Sequence, residues 1–276
     1  MSEEIRELLE NNAAGLEAIK SHTLVSAARA DLLCQMFSEF FAYQINQSNE
    51  YPSTYSSSNE DALLVNLFAK IGHTVKCFVE VGVSSLQNNT GIFLAAGASG
   101  LWLDAGLDEA ELKEHWPRQV AAGKLKWDST FLNLEHINSL ISGHFQNSGW
   151  TEADLLSVDV DYNTYHIWEA IECINPKAVI VEYNASIHPS VEYVVEYDPE
   201  AAWDGSIKFG ASLKSLELLG RKKGYQLVQC DISGANALFV QADLAGVFES
   251  DGRAETHYMP PRYYLSGRRG HAAAAL

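Results

Sequence analysis

From residue 74 onward, short apolar runs alternate with amphipathic stretches, and this alternation constrains the fold more than any other feature of the chain. Strand–helix alternation of this kind predicts a parallel sheet covered by helices on both faces. Only the short segment DISGA (231–235) and Asn236 separate the last two runs, so we expect those strands to pair antiparallel as a hairpin. The runs are VKCFVEVG (75–82), GLWLDA (100–105), a weaker one around 126–132, LLSVDVD (155–161), AVIVEYN (178–184), YQLVQC (225–230) and ALFVQ (237–241).

The residues before this alternating region are predicted to be helical. Apolar residues at helical spacing mark 3–20 and 23–46, and a further helix should run from Glu60 to about Gly72. Packing on the core, a dimer interface and a lid over the substrate pocket are all open roles for these helices. The stretch SNEYPSTYSSSN (48–59) is typical of a linker or mobile loop.

Three regions follow from this organisation. We expect a helical cap or dimerisation segment at 1–72, a Rossmann-like core at 73–245 and a C-terminal extension at 246–276. The helical segment suggests a homodimer. These boundaries are predictions from the sequence pattern alone.

Composition restricts the partners and the compartment. The net charge of −17 disfavours nucleic acid as a substrate, since an acidic surface repels phosphates. No apolar run approaches the roughly 20 residues that span a bilayer, so no membrane partner is expected. The four cysteines form no CxxC pair, which favours free thiols in a reducing cytoplasm. We therefore expect a cytoplasmic protein.

The ends of the first two apolar runs carry residues suited to a nucleoside ligand. In open α/β sheets, ligands bind at the carboxyl ends of the strands. The first run ends at Gly82, which allows close approach of the backbone. The second run carries Asp104 next to its end, 22 residues after Gly82, an interval at which an acid binds ribose hydroxyls. Ser84 and Ser85 stand where a second glycine is expected, which disfavours a dinucleotide. Glu80 and Gly82 at the end of the first strand, with the acid of the second strand, fit adenosylmethionine better. An ordinary turn glycine and an exposed acid are the alternative.

Acidic and amide side chains also cluster after the fourth and fifth strands. Asp159, Asp161 and Asn163 follow one strand, and EYN (182–184) ends the next. In an extended strand, alternation places Asp159 and Asp161 on the same side. Carboxylates gathered at one edge require a cation, a shared proton or a cationic ligand, and their oxygens suit Mg²⁺. Alternatively, Asp161 and Asn163 cap the following helix, and the two interpretations are compatible.

These segments resemble a known family. DLLSVDVDYNTYHIWEAIECINPKAVIVEYNASI is similar to the core of FkbM-type methyltransferases, FVEVGVSSLQNNT to their cofactor loop, and GLWLDA to their second strand. The stretch GASLKSLELLGRKKGYQLVQCDISGANALFV resembles their late helix and closing hairpin, so the resemblance covers roughly 75–241. It implies a Rossmann-like class I methyltransferase fold, with a mostly parallel seven-stranded sheet and an antiparallel C-terminal hairpin.

The resemblance also implies roles for individual residues. The residues that would hold S-adenosylmethionine are Glu80, Gly82, Asn89, Thr90 and Asp104. The residues that would face the methyl group and the acceptor are Asp159, Asp161, Glu182 and Asn184, and related metal-dependent O-methyltransferases place Mg²⁺ ligands at these same strand ends. For removal of the acceptor's proton, Asp159 is the first candidate and His188 the second.

The leading hypothesis is therefore a methyltransferase that uses S-adenosylmethionine, with Mg²⁺ as a further expected cofactor. Its acceptor would be an oxygen or nitrogen of a small-molecule or peptide natural product. A metal-dependent hydrolase or transferase that uses the same carboxylates is one alternative. A non-catalytic binding protein on a degenerate methyltransferase fold is another, favoured by Ser84 and Ser85. Binding of the methyl donor separates the first hypothesis from the other two, and binding of a metal ion separates those two from each other.

Overall fold

The computed structural model describes residues 54–201 and 203–262. The helices predicted for 3–20 and 23–46 lie outside these ranges. None of the helices within the described ranges has both the length and the apolar character needed to cross a bilayer. In chain order, the strands are β1 (Cys77–Val81), β2 (Ser99–Leu103), β3 (Leu125–Asp128), β4 (Leu155–Val158), β5 (Ala178–Glu182), β6 (Tyr225–Cys230) and β7 (Asn236–Gln241). The α-helices are α1 (Glu60–Lys70), α2 (Gly91–Ala95), α3 (Glu109–His115), α4 (Pro117–Ala121), α5 (Ile137–Ser148), α6 (Thr164–Ala170), α7 (Leu213–Lys222) and α8 (Ala254–His257).

The strands form one sheet in the order β3-β2-β1-β4-β5-β7-β6. β1 to β5 pair in parallel, and β7 is antiparallel to both β5 and β6. The predicted parallel sheet and closing hairpin are therefore confirmed, with β7 inserted between β5 and β6. This is the Rossmann-like arrangement of class I methyltransferases. The strand order reverses between β1 and β4, and the carboxyl ends of these two strands border the crevice where such sheets bind ligands.

Both faces of the sheet are covered, which explains why the central strands are unbroken apolar runs. In β1, Val79 and Val81 pack with residues of α5, α6 and α7, whereas Phe78 faces α1 and α2. Gly100 is required on β2, because a Cβ there would lie 2.1 Å from the Phe78 ring. The edge strand β3 is only partly buried, and its sequence signal is correspondingly weak.

Two segments differ from the sequence prediction. The amphipathic stretch at about 107–121 is expected to form one helix, but the structure divides it into α3 and α4, because Pro117 lacks the N–H that would continue α3. Residues 54–59 of the predicted linker or mobile loop form an irregular segment that packs against the core, with Ser56 and Asn59 buried. Asp61 holds this segment in place. Residues 48–53 lie outside the described part.

Candidate functional site

The segments that follow β2, β3 and β4 border a cavity of about 180 Å³. It lies at the point where the strand order reverses. A larger cavity of about 380 Å³ lies at the opposite edge, beside Trp168 and Tyr225. We take the smaller cavity as the candidate site, because it combines carboxylates with an apolar wall at the ligand-binding edge of the fold. It is lined by Asp104, Ala105, Thr130, Phe131, Leu132, Asp159, Val160, Asp161, Asn163, Ile167 and Ala201.

Glu80 holds the β1–α2 loop (residues 82–90) through hydrogen bonds to the last two residues of the loop. Its side chain is 1% exposed, and its carboxylate accepts hydrogen bonds from the backbone N–H groups of Asn89 at 2.7 Å and Thr90 at 3.1 Å. The Thr90 hydroxyl also donates to Glu80 and accepts from the indole N–H of Trp102 at 2.8 Å. The Asn89 amide donates to the Ser157 hydroxyl at 3.1 Å. The side chains of all three residues, Glu80, Asn89 and Thr90, therefore form hydrogen bonds with other residues of the protein.

Burial raises the pKa of Glu80 from its ordinary value of 4.5 to about 7, because the charged carboxylate loses its hydration. The hydrogen bonds from Thr90 and Asn89 favour the charged form and offset part of this effect. A carboxyl whose pKa is raised in the folded protein stabilises the fold most below pH 4.5, and this contribution is lost as the pH rises through about 7.

We predict that Glu80→Gln flattens the pH dependence of stability between about pH 4.5 and 7. A pKa raised from 4.5 to about 7 corresponds to about 3 kcal/mol of free energy of unfolding, and the glutamine cannot ionise. Urea unfolding of both proteins across this range measures the effect. The matched control is Glu109→Gln, since Glu109 is 62% exposed and pairs only with Lys113 in the helix. Identical slopes for Glu80→Gln and the unmodified protein would contradict the prediction.

Gly82 and Asp104 lie where the β1–α2 loop meets β4 and β2. Gly82 has a φ of 79°, and a Cβ there would lie 1.6 Å from the carbonyl oxygen of Asp159. Glycine is therefore required by the close approach of two backbones. The Asp104 carboxylate accepts from the N–H of Val83 at 3.2 Å and of Gly106 at 2.7 Å, and it lines the cavity. Asp104 is thus placed to contact a ligand there.

Asp159, Asp161 and Glu182 come together at the ends of β4 and β5. One carboxylate oxygen from each lies within 4.8 Å of the others. Glu182 is 4% exposed, and burial, followed by the charge of Asp161, raises its pKa well above its ordinary value. Hydrogen bonds with Asp159 and Thr164 partly offset this rise. Three carboxylate oxygens at this spacing suit a hard divalent cation such as Mg²⁺.

A tight turn, rather than strand alternation, brings Asp161 to this cluster. β4 ends at Val158, and Asp161–Asn163 form a 3₁₀ turn in which Asp161 has a φ of 55°. Asp tolerates this left-handed conformation better than most residues. The helix-capping interpretation is wrong for Asn163, whose side chain makes no cap hydrogen bond and donates to the carbonyl of Asp198 at 2.7 Å.

Asn184 and His188 form hydrogen bonds with residues outside the carboxylate cluster. The fully buried Asn184 amide donates to the carbonyls of Ile207 and Phe209 at 2.7 and 3.0 Å, and its oxygen accepts from the N–H of Ser186. His188 is exposed, pairs with the hydroxyl of Ser190 and does not line the cavity. The roles of Asn184 as a metal ligand and His188 as a base stay predictions.

The sequence pattern does not identify Phe131 and Thr164 as residues of the site. Phe131 lines the cavity and is 52% exposed, and its place near the end of the weak third run was the available signal. Thr164 is fully buried and holds Glu182, while its hydroxyl accepts the N–H of Val160 at 3.1 Å. No local pattern reveals the Thr164 contact, because it crosses from one strand end to the next.

Comparison with known proteins yields similarity of fold only. No family model and no curated protein matches the chain. Among solved structures, an O-methyltransferase from Bacillus cereus in complex with SAH is 16% identical, over 74% of this chain and 90% of that one, with a TM-score of 0.41. A methyltransferase of Clostridium acetobutylicum, described as S-adenosylmethionine-dependent, is 10% identical over 73% and 98%, with a TM-score of 0.40. An O-methyltransferase family protein from Burkholderia thailandensis is 10% identical over 66% of this chain and only 57% of that one, with a TM-score of 0.38. The fold assignment rests on the strand order.

Proposed function

We propose that this protein is an S-adenosylmethionine-dependent methyltransferase that acts on an oxygen or nitrogen of a small-molecule or peptide natural product. The observation that carries the proposal is the cavity at the reversal of strand order, which Asp104, Asp159 and Asp161 line; Glu182 lies beside Asp159 and Asp161 in the carboxylate cluster. The FkbM-like subtype, the cytoplasmic setting and a homodimer belong to the same proposal.

The methyl donor would lie along the ends of β1 and β2. Asp104 lines the cavity and is the candidate for the ribose hydroxyls, and Gly82 keeps the loop close to β4. Glu80, Asn89 and Thr90 hold the loop in its conformation, so we assign them to positioning the donor. A cavity of about 180 Å³ holds only part of a ligand of this size, so the surrounding loops are expected to rearrange on binding.

Methyl transfer requires alignment more than covalent help from the protein. The acceptor's lone pair forms a bond to the methyl carbon while the carbon–sulfur bond breaks, and the electron pair of that bond stays on sulfur. The acceptor atom must lie about 3 Å from the methyl group and in line with the sulfur. Because Asp159 lines the cavity, we propose it as the base that takes the proton a hydroxyl or amine acceptor loses. His188 is the second candidate base.

The carboxylate cluster fits a divalent cation. Asp159, Asp161 and Glu182 supply three hard oxygen ligands, with Asn184 as the fourth predicted ligand. When bound there, Mg²⁺ would lower the pKa of an acceptor hydroxyl. The side chains themselves would orient that hydroxyl toward the donor.

Charge and shape limit the class of acceptor. Among the cavity-lining residues, all within the described part of the chain, three are acidic and none is Lys, Arg or His. An anionic group such as a phosphate would therefore be repelled. Phe131, Leu132 and Ile167 supply an apolar part of the cavity lining. We therefore propose an acceptor with an apolar part and a neutral or cationic reacting end.

We predict that S-adenosylhomocysteine stabilises the protein against thermal unfolding. A ligand at about a hundred times its dissociation constant adds roughly 2.7 kcal/mol, which is a rise of several degrees in Tm for a chain of this size. Asp104→Asn should lower this rise, whereas Asp204→Asn, at an exposed position, should preserve it. No rise at saturating ligand would overturn the methyltransferase proposal.

The same cluster favours a second candidate function, a metal-dependent hydrolase or transferase. Its three carboxylates resemble a metal site, and such a site does not require a methyl donor. This function predicts stabilisation by Mg²⁺ or Mn²⁺ and none by S-adenosylhomocysteine. A protein that neither ligand stabilises would be a binding protein on this fold.

A further inference from the structure

The segment immediately before α1 contacts the β1–α2 loop. We call residues 54–59 the strap. Asp61, which is fully buried, holds the strap by accepting the backbone N–H groups of Thr54 at 2.7 Å, Tyr55 at 2.8 Å and Ser56 at 3.3 Å. Three donors on one buried carboxylate oxygen fix the strap to the start of α1.

The other end of the strap is tied to the turn between β6 and β7. Asn59 accepts the N–H of Ile232 at 3.3 Å. Glu60 accepts the N–H of Ser58 at 2.8 Å and the side-chain amide of Asn236 at 3.0 Å. Since Asn236 pairs with Glu182 across β7 and β5, the strap is connected to the strand that carries the carboxylate cluster.

Tyr55 is the residue of the strap that reaches the β1–α2 loop. Its carbonyl accepts the N–H of Asn88 at 3.0 Å. Its ring packs against Gly91, where a Cβ would lie 2.9 Å from Cγ of the tyrosine. The ring also lies 5.2 Å from that of Trp116, whose indole N–H donates to the carbonyl of Ser85 at 2.8 Å. Tyr55 and Trp116 thus hold the loop at Ser85, Asn88 and Gly91. Glu80 holds it at Asn89 and Thr90.

These contacts explain how the loop keeps its position without a second glycine. Ser84 and Ser85 occupy the positions where glycines would tighten a nucleoside-binding loop. Here the Ser84 hydroxyl bonds to Gln87, and Ser85 bonds to Glu111 at 2.9 Å. These bonds close the loop locally, but its position relative to the sheet is set by Glu80, Trp116 and Tyr55.

We propose that Tyr55 is a positioning residue for the methyl donor, acting through the β1–α2 loop. The inference rests on the proposed function, since it concerns the same site. It predicts that loss of the tyrosine ring raises the dissociation constant of the donor. A similar loss of folding stability elsewhere in the protein should raise it far less. It also predicts that donor binding orders the strap and the loop together.

The test measures S-adenosylhomocysteine affinity by titration calorimetry, at a temperature where each variant is folded. We expect Tyr55→Ala to raise the dissociation constant by about tenfold or more. Tyr55→Phe retains the ring and the backbone carbonyl, so it should bind like the unmodified protein. Phe145→Leu is the matched destabilised control, since Phe145 packs with Trp150 on the opposite face of the sheet. Its affinity should stay within about twofold.

A second measurement covers the case in which Tyr55→Ala does not fold. Hydrogen exchange of the unmodified protein, with and without S-adenosylhomocysteine, should show slower exchange in both 54–59 and 84–91. Protection of 84–91 alone, or an unchanged affinity for Tyr55→Ala, would overturn the role of Tyr55. Failure of the unmodified protein to bind S-adenosylhomocysteine would instead overturn the proposed function.

Discussion

Replacing Gly82 with alanine is expected to lower the free energy of unfolding by at least about 4 kcal/mol, near the upper end for single substitutions. The new Cβ would lie 1.6 Å from the carbonyl oxygen of Asp159 and 2.3 Å from its carbonyl carbon. Both atoms belong to the backbone at the end of β4, so no side-chain rotation relieves the clash. The φ of 79° adds strain for any residue with a Cβ. Urea unfolding followed by circular dichroism measures the loss.

Gly72→Ala separates the two causes. Gly72 has a φ of 65°, but a Cβ there would meet no atom within 4 Å. This variant should therefore lose only the roughly 1–2 kcal/mol that left-handed backbone costs an L-residue. Gly82→Ala should also abolish stabilisation by S-adenosylhomocysteine, because the β1–α2 loop cannot keep its place against β4. Equal losses in the two variants would contradict the close approach as the reason for glycine.

The strands could be predicted from the sequence because a parallel sheet covered on both faces demands unbroken apolar runs. β5 illustrates this, since all five of its residues are buried and its run stands out clearly. β3, at the edge, buries only Leu125 fully, and its run was the weakest. The antiparallel hairpin followed from the short DISGA turn, whereas the insertion of β7 beside β5 has no local signature.

The site was predictable at the level of strand ends but not of side-chain partners. Glu80 and Thr90 were expected to hold the donor, which stays a prediction, and in the structure both are buried and hydrogen-bonded to each other. Their partnership joins a strand to the far end of a loop, which no periodicity encodes. The position of Asp161 depends on a positive φ, and Asn184 is engaged by carbonyls more than twenty residues away.

Glu182→Gln is expected to weaken Mn²⁺ or Mg²⁺ binding at least about 100-fold, since even loss of a contact that supports a ligand costs 10- to 100-fold. The variant removes a carboxylate from the cluster while preserving side-chain volume. Without metal it should be at least as stable as the unmodified protein, because the neutral amide is not repelled by Asp161. Isothermal titration with MnCl₂ in the presence of S-adenosylhomocysteine measures the affinity.

Comparison of three variants distinguishes a metal site from a set of carboxyls that share a proton. Asp161→Asn should weaken Mn²⁺ as strongly as Glu182→Gln, because each supplies one of three oxygens within 4.8 Å of one another. Asp204→Asn removes an exposed charge and should leave the affinity unchanged, which excludes a general effect of net charge. If the unmodified protein binds S-adenosylhomocysteine but not millimolar Mn²⁺, the cluster holds a proton rather than a metal. Asp159 would then act alone as the base, and Asp159→Asn should abolish methyl transfer without altering donor affinity.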